Sequence, residues 1–182
     1  MDFFSKPQKH LDLYFLRHAI AAERNSTKYK DDSLRPLTNQ GQRKMHRAAL
    51  GMKILGLKFD AIISSPYLRA QQTAKIVVKA YELKNKDIYF TNNLLPPASI
   101  KELLQEILVH FPKSKSILFV GHEPHLTDMI STLLKCDNPL HIDFKKGGLC
   151  SLTIQYPLKN TSAILNWLMT PTQLAALSKE KE

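Results

Sequence analysis

Two rhythms of apolar residues alternate along the chain. Short apolar runs at residues 11–16, 59–63 and 117–120 read as buried strands, and a weaker one at 88–90 reads as a fourth. Helical spacing fills the intervals. Thr38 is a suitable N-cap for a helix carrying Met45, Ala48, Ala49 and Met52 on one face. Pro66, after Ser65, suits the first turn of a second helix, with Ala70, Ala74, Val77 and Tyr81 facing inward. Ser99 and Glu102 form a capping box ahead of an amphipathic helix that turns Ile100, Leu103, Leu104, Ile107, Leu108 and Phe111 to one side. Pro124 opens a further helix with Leu126, Met129, Ile130, Leu133 and Leu134 on its inner face.

The rhythm then changes. Residues 149–156 and 163–169 predict two strands joined by a polar turn at 159–162, which makes a hairpin. A short helix is expected over 172–177, with a frayed end at 178–182. Strands alternating with helices predict an α/β three-layer sandwich. Its central sheet is mainly parallel, with helices on both faces and an antiparallel C-terminal hairpin at the edge. No linker or repeat divides the chain, so a single domain with a core of about residues 11–177 is expected.

Composition narrows the class. The 182 residues can bury a real core, and 43% of them are hydrophobic. No stretch approaches the roughly 18 apolar residues of a membrane span, and the N-terminus does not read as a signal peptide. Cys136 and Cys150 form no CxxC; one disulfide could be built from them, but a reduced, cytoplasmic setting is the simpler reading. The net charge of +10 is compatible with nucleic acid, with an acidic or phosphorylated substrate, or with a merely solvated face. The lysines are scattered, and aromatic residues do not interleave with arginines as base stacking would need, so nucleic acid is set aside.

Ligands of open α/β sheets bind beyond the carboxyl ends of the strands. Three polar clusters fall there: Arg17-His18, Ser64-Ser65-Pro66-Tyr67-Leu68-Arg69 and Gly121-His122-Glu123-Pro124. Singly, each reads as structural. Together they bring two arginines and two histidines to one sheet edge, which suits a dianionic phosphoryl group. Helix N-termini after Ser65 and Glu123 would add oriented N–H groups. Two guanidinium groups beside His18 should lower its pKa and keep one ring nitrogen neutral. Fixed cations make a metal unnecessary, and His122 and His125 do not complete an HExxH.

These residues resemble the histidine phosphatase superfamily, also called phosphoglycerate-mutase-like. Leu16-Arg17-His18-Ala19 is similar to its RHG signature, residues 64–74 to its second motif and Val120-Gly121-His122-Glu123-Pro124 to its third. Segments 34–38 and 166–171 resemble the SixA-like phosphohistidine phosphatase branch. The resemblance implies that His18 is the nucleophile and becomes a phosphohistidine, while Arg17, Arg69 and His122 bind the phosphoryl oxygens. It implies no cofactor. The partner would be a phosphorylated protein, for example a histidine phosphotransfer domain, or a small phosphorylated substrate.

Two departures stand out. Ala19 replaces a common glycine, and Asn93 occupies the place of a glutamate general acid. Asparagine cannot protonate a leaving group. That shifts the expectation from phosphate esters, whose alkoxide leaves poorly, towards phosphohistidine, whose imidazole solvent can protonate beforehand. Glu123 is the substitute acid to consider first, against the reading of a helix-terminal carboxylate. Glu23, Asp31 and Asp32 lie on the long loop 20–35, which could wall the site. The alternatives are a small-molecule phosphomonoesterase and a non-catalytic phosphate-binding regulatory module.

Overall fold

The computed structural model describes residues 9–24, 29–83, 88–156 and 163–179. The strands are β1 (Lys9–Arg17), β2 (Ala61–Ser64), β3 (Ile88–Phe90), β4 (Ser116–Gly121), β5 (Leu149–Tyr156) and β6 (Ile164–Met169). They form a sheet in the order β3-β2-β4-β1-β5-β6. β1 pairs parallel with β4, β4 with β2, and β2 with β3. β5 alone runs against the rest, antiparallel to both β1 and β6. The sheet is thus mainly parallel and ends in the expected hairpin. The turn expected at 159–162 lies outside the described residues.

Alternation along the strands explains the layers. Leu13 and Phe15 of β1, Ile63 of β2, and Ile117 and Phe119 of β4 point to one face. There they meet Leu103 and Ile107 of α3 (Ile100–His110) and Met129 and Ile130 of α4 (His125–Leu133). Leu16, Ile62, Leu118 and Val120 point to the other face. They meet Met45 and Met52 of α1 (Asn39–Ile54), Ala70, Ala74 and Val77 of α2 (Leu68–Ala80), and Leu174 of α5 (Pro171–Ala176). Both sides of the sheet are therefore covered, as parallel strands require. Among the described residues, no helix is long and apolar enough to cross a membrane.

The caps follow the sequence closely. Thr38 Oγ1 accepts from Gly41 N at 3.0 Å, and Ser99 with Glu102 closes a full capping box. A second box, Thr170 with Gln173, starts α5. One expected boundary is corrected: α2 begins at Leu68 rather than at Pro66. Ser65 Oγ accepts the Tyr67 N–H at 3.2 Å, so Ser65, Pro66 and Tyr67 form a turn that stays outside the helix. Ser178 and Lys179, expected to fray, belong instead to a 3-10 turn at Leu177–Lys179; residues 180–182 lie outside the described residues.

Gly51 sets how closely α5 docks on α1. A Cβ built there would lie 1.8 Å from the Leu174 carbonyl oxygen, a backbone atom that cannot swing aside. Gly51→Ala is expected to displace α5 and lower stability by about 1–3 kcal/mol, as overpacking does. Urea unfolding gives the loss, and faster proteolysis of the C-terminal helix shows where it falls.

Candidate active site

The strand order places β2, β4 and β1 side by side, so their carboxyl ends adjoin. Arg17 and His18, Arg69, and His122 and Glu123 thereby line one cleft of about 570 Å³. The loop after His18 walls it through residues including Ala22, Glu23 and Asp32.

His18 is fixed by its backbone before its side chain is considered. Its N–H donates to Gly121 O at 3.0 Å, and the Ala19 N–H donates to Thr73 Oγ1 at 3.1 Å. Nδ1 lies 2.7 Å from the Ala19 carbonyl, which can only accept, so Nδ1 carries the ring proton. Nε2 then keeps its lone pair and accepts from Arg69 Nε at 3.3 Å. The pKa of His18 is lowered to about 3. Burial is the largest cause; His122, Arg69 and Arg17 add to it. The expected direction holds, but desolvation outweighs the guanidinium groups that the sequence suggested.

The cations are held just as closely. Arg69 donates Nη1 to Asp32 O at 2.7 Å and Nη2 to Asp32 Oδ2 at 2.9 Å. Arg35 Nε holds the other carboxylate oxygen at 2.8 Å. Arg17 donates Nη1 to the Phe144 carbonyl, while its Nε is buried without a partner. His122 Nε2 lies 2.7 Å from Ser65 Oγ. Ser65 Oγ also accepts from Tyr67 N, and with its second lone pair and its own proton it can either accept from His122 Nε2 or donate to it. His122 Nδ1 is also buried without a partner. Burial first, then Arg69, lowers the pKa of His122 to about 3. Two buried nitrogens without a partner, Arg17 Nε and His122 Nδ1, beside the Arg69 guanidinium are suited to an anion.

A model of the histidine phosphatase superfamily (branch 1) matches residues 13–89. An uncharacterized protein of Picosynechococcus sp. is 35% identical over 144 residues, covering 78% of this chain and 84% of the relative. The chain belongs to the histidine phosphatase superfamily. That membership supports a phosphatase activity. The phosphohistidine phosphatase SixA of Escherichia coli is 24% identical over 166 residues, covering 90% of this chain and 96% of that protein. A solved structure of the protein histidine phosphatase SixA complexed with tungstate shares the fold, with TM-score 0.75 and 23% identity over 90% of this chain and 99% of that one.

In this member of the superfamily the candidate acids separate. Asn93 does not line the cleft; its Nδ2 donates to Glu106 Oε2 at 2.8 Å, beside Thr91 and Tyr89 on the same carboxylate. Leu95 and Pro96 line the cleft instead. Glu123 does line it, and burial raises its pKa. Its oxygens accept from Thr127 N at 3.1 Å and Thr127 Oγ1 at 2.6 Å, so it also ties the first turn of α4. Asp31 is spent on capping the 3-10 turn Asp32–Leu34. Asp32 faces the site as the anchor of Arg69. Among the described residues, no three His, Cys, Asp or Glu side chains could hold a metal ion. Both cysteines are free, Cys150 buried.

Several supports escaped the sequence reading. Gln72 Oε1 accepts from Leu37 N at 2.7 Å and, with Thr73, moors the loop after β1 to α2. Gly147, at φ +80°, donates its N–H to Arg17 O at 3.0 Å and to His18 O at 3.2 Å. The Gly147-Gly148 pair ahead of β5 was the available signal, since paired glycines mark a tight approach of backbone.

The depressed histidines fix a pH dependence. Unfolding returns each ring to an ordinary pKa of about 6.5. Between about pH 6.5 and 3 the unfolded chain therefore binds protons that the native chain refuses, and stability falls as pH falls. The expected slope in that window is about 1.4 kcal/mol per pH unit for each histidine. Urea unfolding at about pH 7, 5.5 and 4.5 measures it, and His122→Asn should lessen the slope by about one proton.

Proposed function

We propose that this protein is a phosphatase working through a phosphohistidine on His18, and that its substrate is phosphohistidine in a signalling protein such as a histidine phosphotransfer domain. One observation carries the reading: the Ala19 carbonyl holds the proton of His18 on Nδ1, which leaves the unprotonated Nε2 facing the cleft cation Arg69, beside Arg17 and His122. A neutral, oriented imidazole is what nucleophilic attack on phosphorus requires.

Nε2 attacks the phosphorus, and the N–P bond to His18 forms as the bond to the leaving group breaks. Arg17 Nε, the Arg69 fork and protonated His122 supply donors to the phosphoryl oxygens, where negative charge gathers. The approaching dianion favours protonation of His122. A leaving imidazole protonated by solvent departs neutral. Water then attacks the phosphohistidine, the N–P bond breaks, and the protons of that water leave with inorganic phosphate. Phosphohistidine is favoured over an ester because Asn93, in the segment where a glutamate acid was expected, has no proton to give an alkoxide and is bonded to Glu106 outside the cleft.

A second reading, a phosphomonoesterase, is favoured by Glu123, a cleft carboxylate that burial makes easier to protonate. Glu123→Gln keeps the shape and removes the proton. On phosphohistidine the expected loss is less than about tenfold, and on p-nitrophenyl phosphate it is no greater. A loss of about 10²-fold or more on a sugar phosphate, whose alkoxide needs a proton, with p-nitrophenyl phosphate little affected, would make Glu123 the acid.

His18→Ala is expected to abolish turnover of both compounds and covalent labelling of the enzyme. Activity near native, or label retained at another residue, would remove His18 from this role. Sugar phosphates turned over much faster than phosphohistidine peptides would sink the substrate assignment.

A further inference from the structure

A second groove, of about 980 Å³, adjoins the catalytic cleft and shares Arg17 and Lys146 with it. Lys44 and Arg47, one helical turn apart on α1, line one side, and Lys145 and Lys146 line the other. Asp143 is the acidic residue in the lining, and it is paired with Lys145. Lys44, Arg47 and Lys146 are exposed and form no ion pair with any described residue.

The groove is rigidly placed relative to the nucleophile. Phe144 is 2% exposed, and its carbonyl accepts from Arg17. Gly147 N–H bonds the Arg17 and His18 carbonyls. The two lysines are therefore carried on a segment stitched to the backbone of His18 itself. Arg17 lines both hollows.

We propose that this groove docks an acidic segment of the protein that carries the phosphohistidine, with Lys44 and Arg47 as its specificity-determining residues. The inference rests on the phosphohistidine reading. The cleft alone has room for a phosphoryl group and an imidazole. The groove is larger than the cleft, and its unpaired cations sit on long exposed side chains spread over two elements. That arrangement matches carboxylates distributed over a protein surface, whereas a small phosphate ester has no group to reach it. Exposed charges of this kind act mainly by steering encounter, so their effect should appear in kcat/KM and weaken with salt.

The test uses two synthetic phosphohistidine peptides of equal length, one with glutamates flanking the phosphohistidine and one with glutamines. The native protein is expected to prefer the acidic peptide by about tenfold in kcat/KM at low salt, with the preference shrinking as salt is added. The Lys44→Glu/Arg47→Glu variant is expected to lose that preference while hydrolysing phosphoramidate at the native rate, which also reports that it is folded. Equal turnover of the two peptides by native protein, or an unchanged preference in the variant, overturns the groove and leaves the phosphohistidine reading standing. Failure to hydrolyse either peptide, with p-nitrophenyl phosphate still turned over, overturns both.

Discussion

The carboxyl end of β1 is pinned from several directions at once, and the site depends on that pinning. Arg17 N–H bonds Gly148 O at 3.1 Å, and His18 N–H bonds Gly121 O. Thr73 on α2 takes the next N–H, that of Ala19. Gly147 returns a bond to the carbonyls of Arg17 and His18. Neighbours on both sides of β1 and a helix on one face thus hold a stretch of chain that has just left the sheet. The Ala19 carbonyl is thereby fixed, and it orients the imidazole. Arg69 Nε, which can only donate, reinforces the same tautomer from the Nε2 side.

Concentrating cations against buried histidines would normally cost stability, and the fold limits that cost in two ways. Both rings stay neutral, chiefly because burial disfavours their charged forms. Asp32 supplies a counter-charge, gripping Arg69 on one side and Arg35 on the other. In the proposed mechanism, a negative charge delivered by substrate would meet donors already in place and require little reorganisation.

Much of this was legible in the residues. The caps at Thr38 and Ser99, the apolar alternation of β1 and β4, and the stripe on α3 are local patterns, set by short-range hydrogen bonds and periodic burial. Arg17, Arg69 and His122 could be assigned to one edge because strand ends in a parallel sheet must share it. The start of α2 was misplaced for a local reason too: Pro66 favours a first turn, but the hydroxyl of Ser65 captured the Tyr67 N–H first. Asn93 was legible as an absence of acid but not in its orientation. Its partner Glu106 lies on α3, and sequence spacing carries no information about that meeting.

By itself, the sequence determined the strand-helix alternation, the sign of the surface charge and the residue types able to bind and attack a phosphoryl group. These follow from properties each segment possesses alone. Tertiary structure decided which nitrogen of His18 keeps its lone pair, that burial rather than its arginine neighbours dominates its pKa, that Asp32 holds Arg69, and that Lys44 and Lys146 line one groove beside the cleft. Each of these depends on atoms far apart in the chain, brought together by strand order and by the backbone bonds that close around β1.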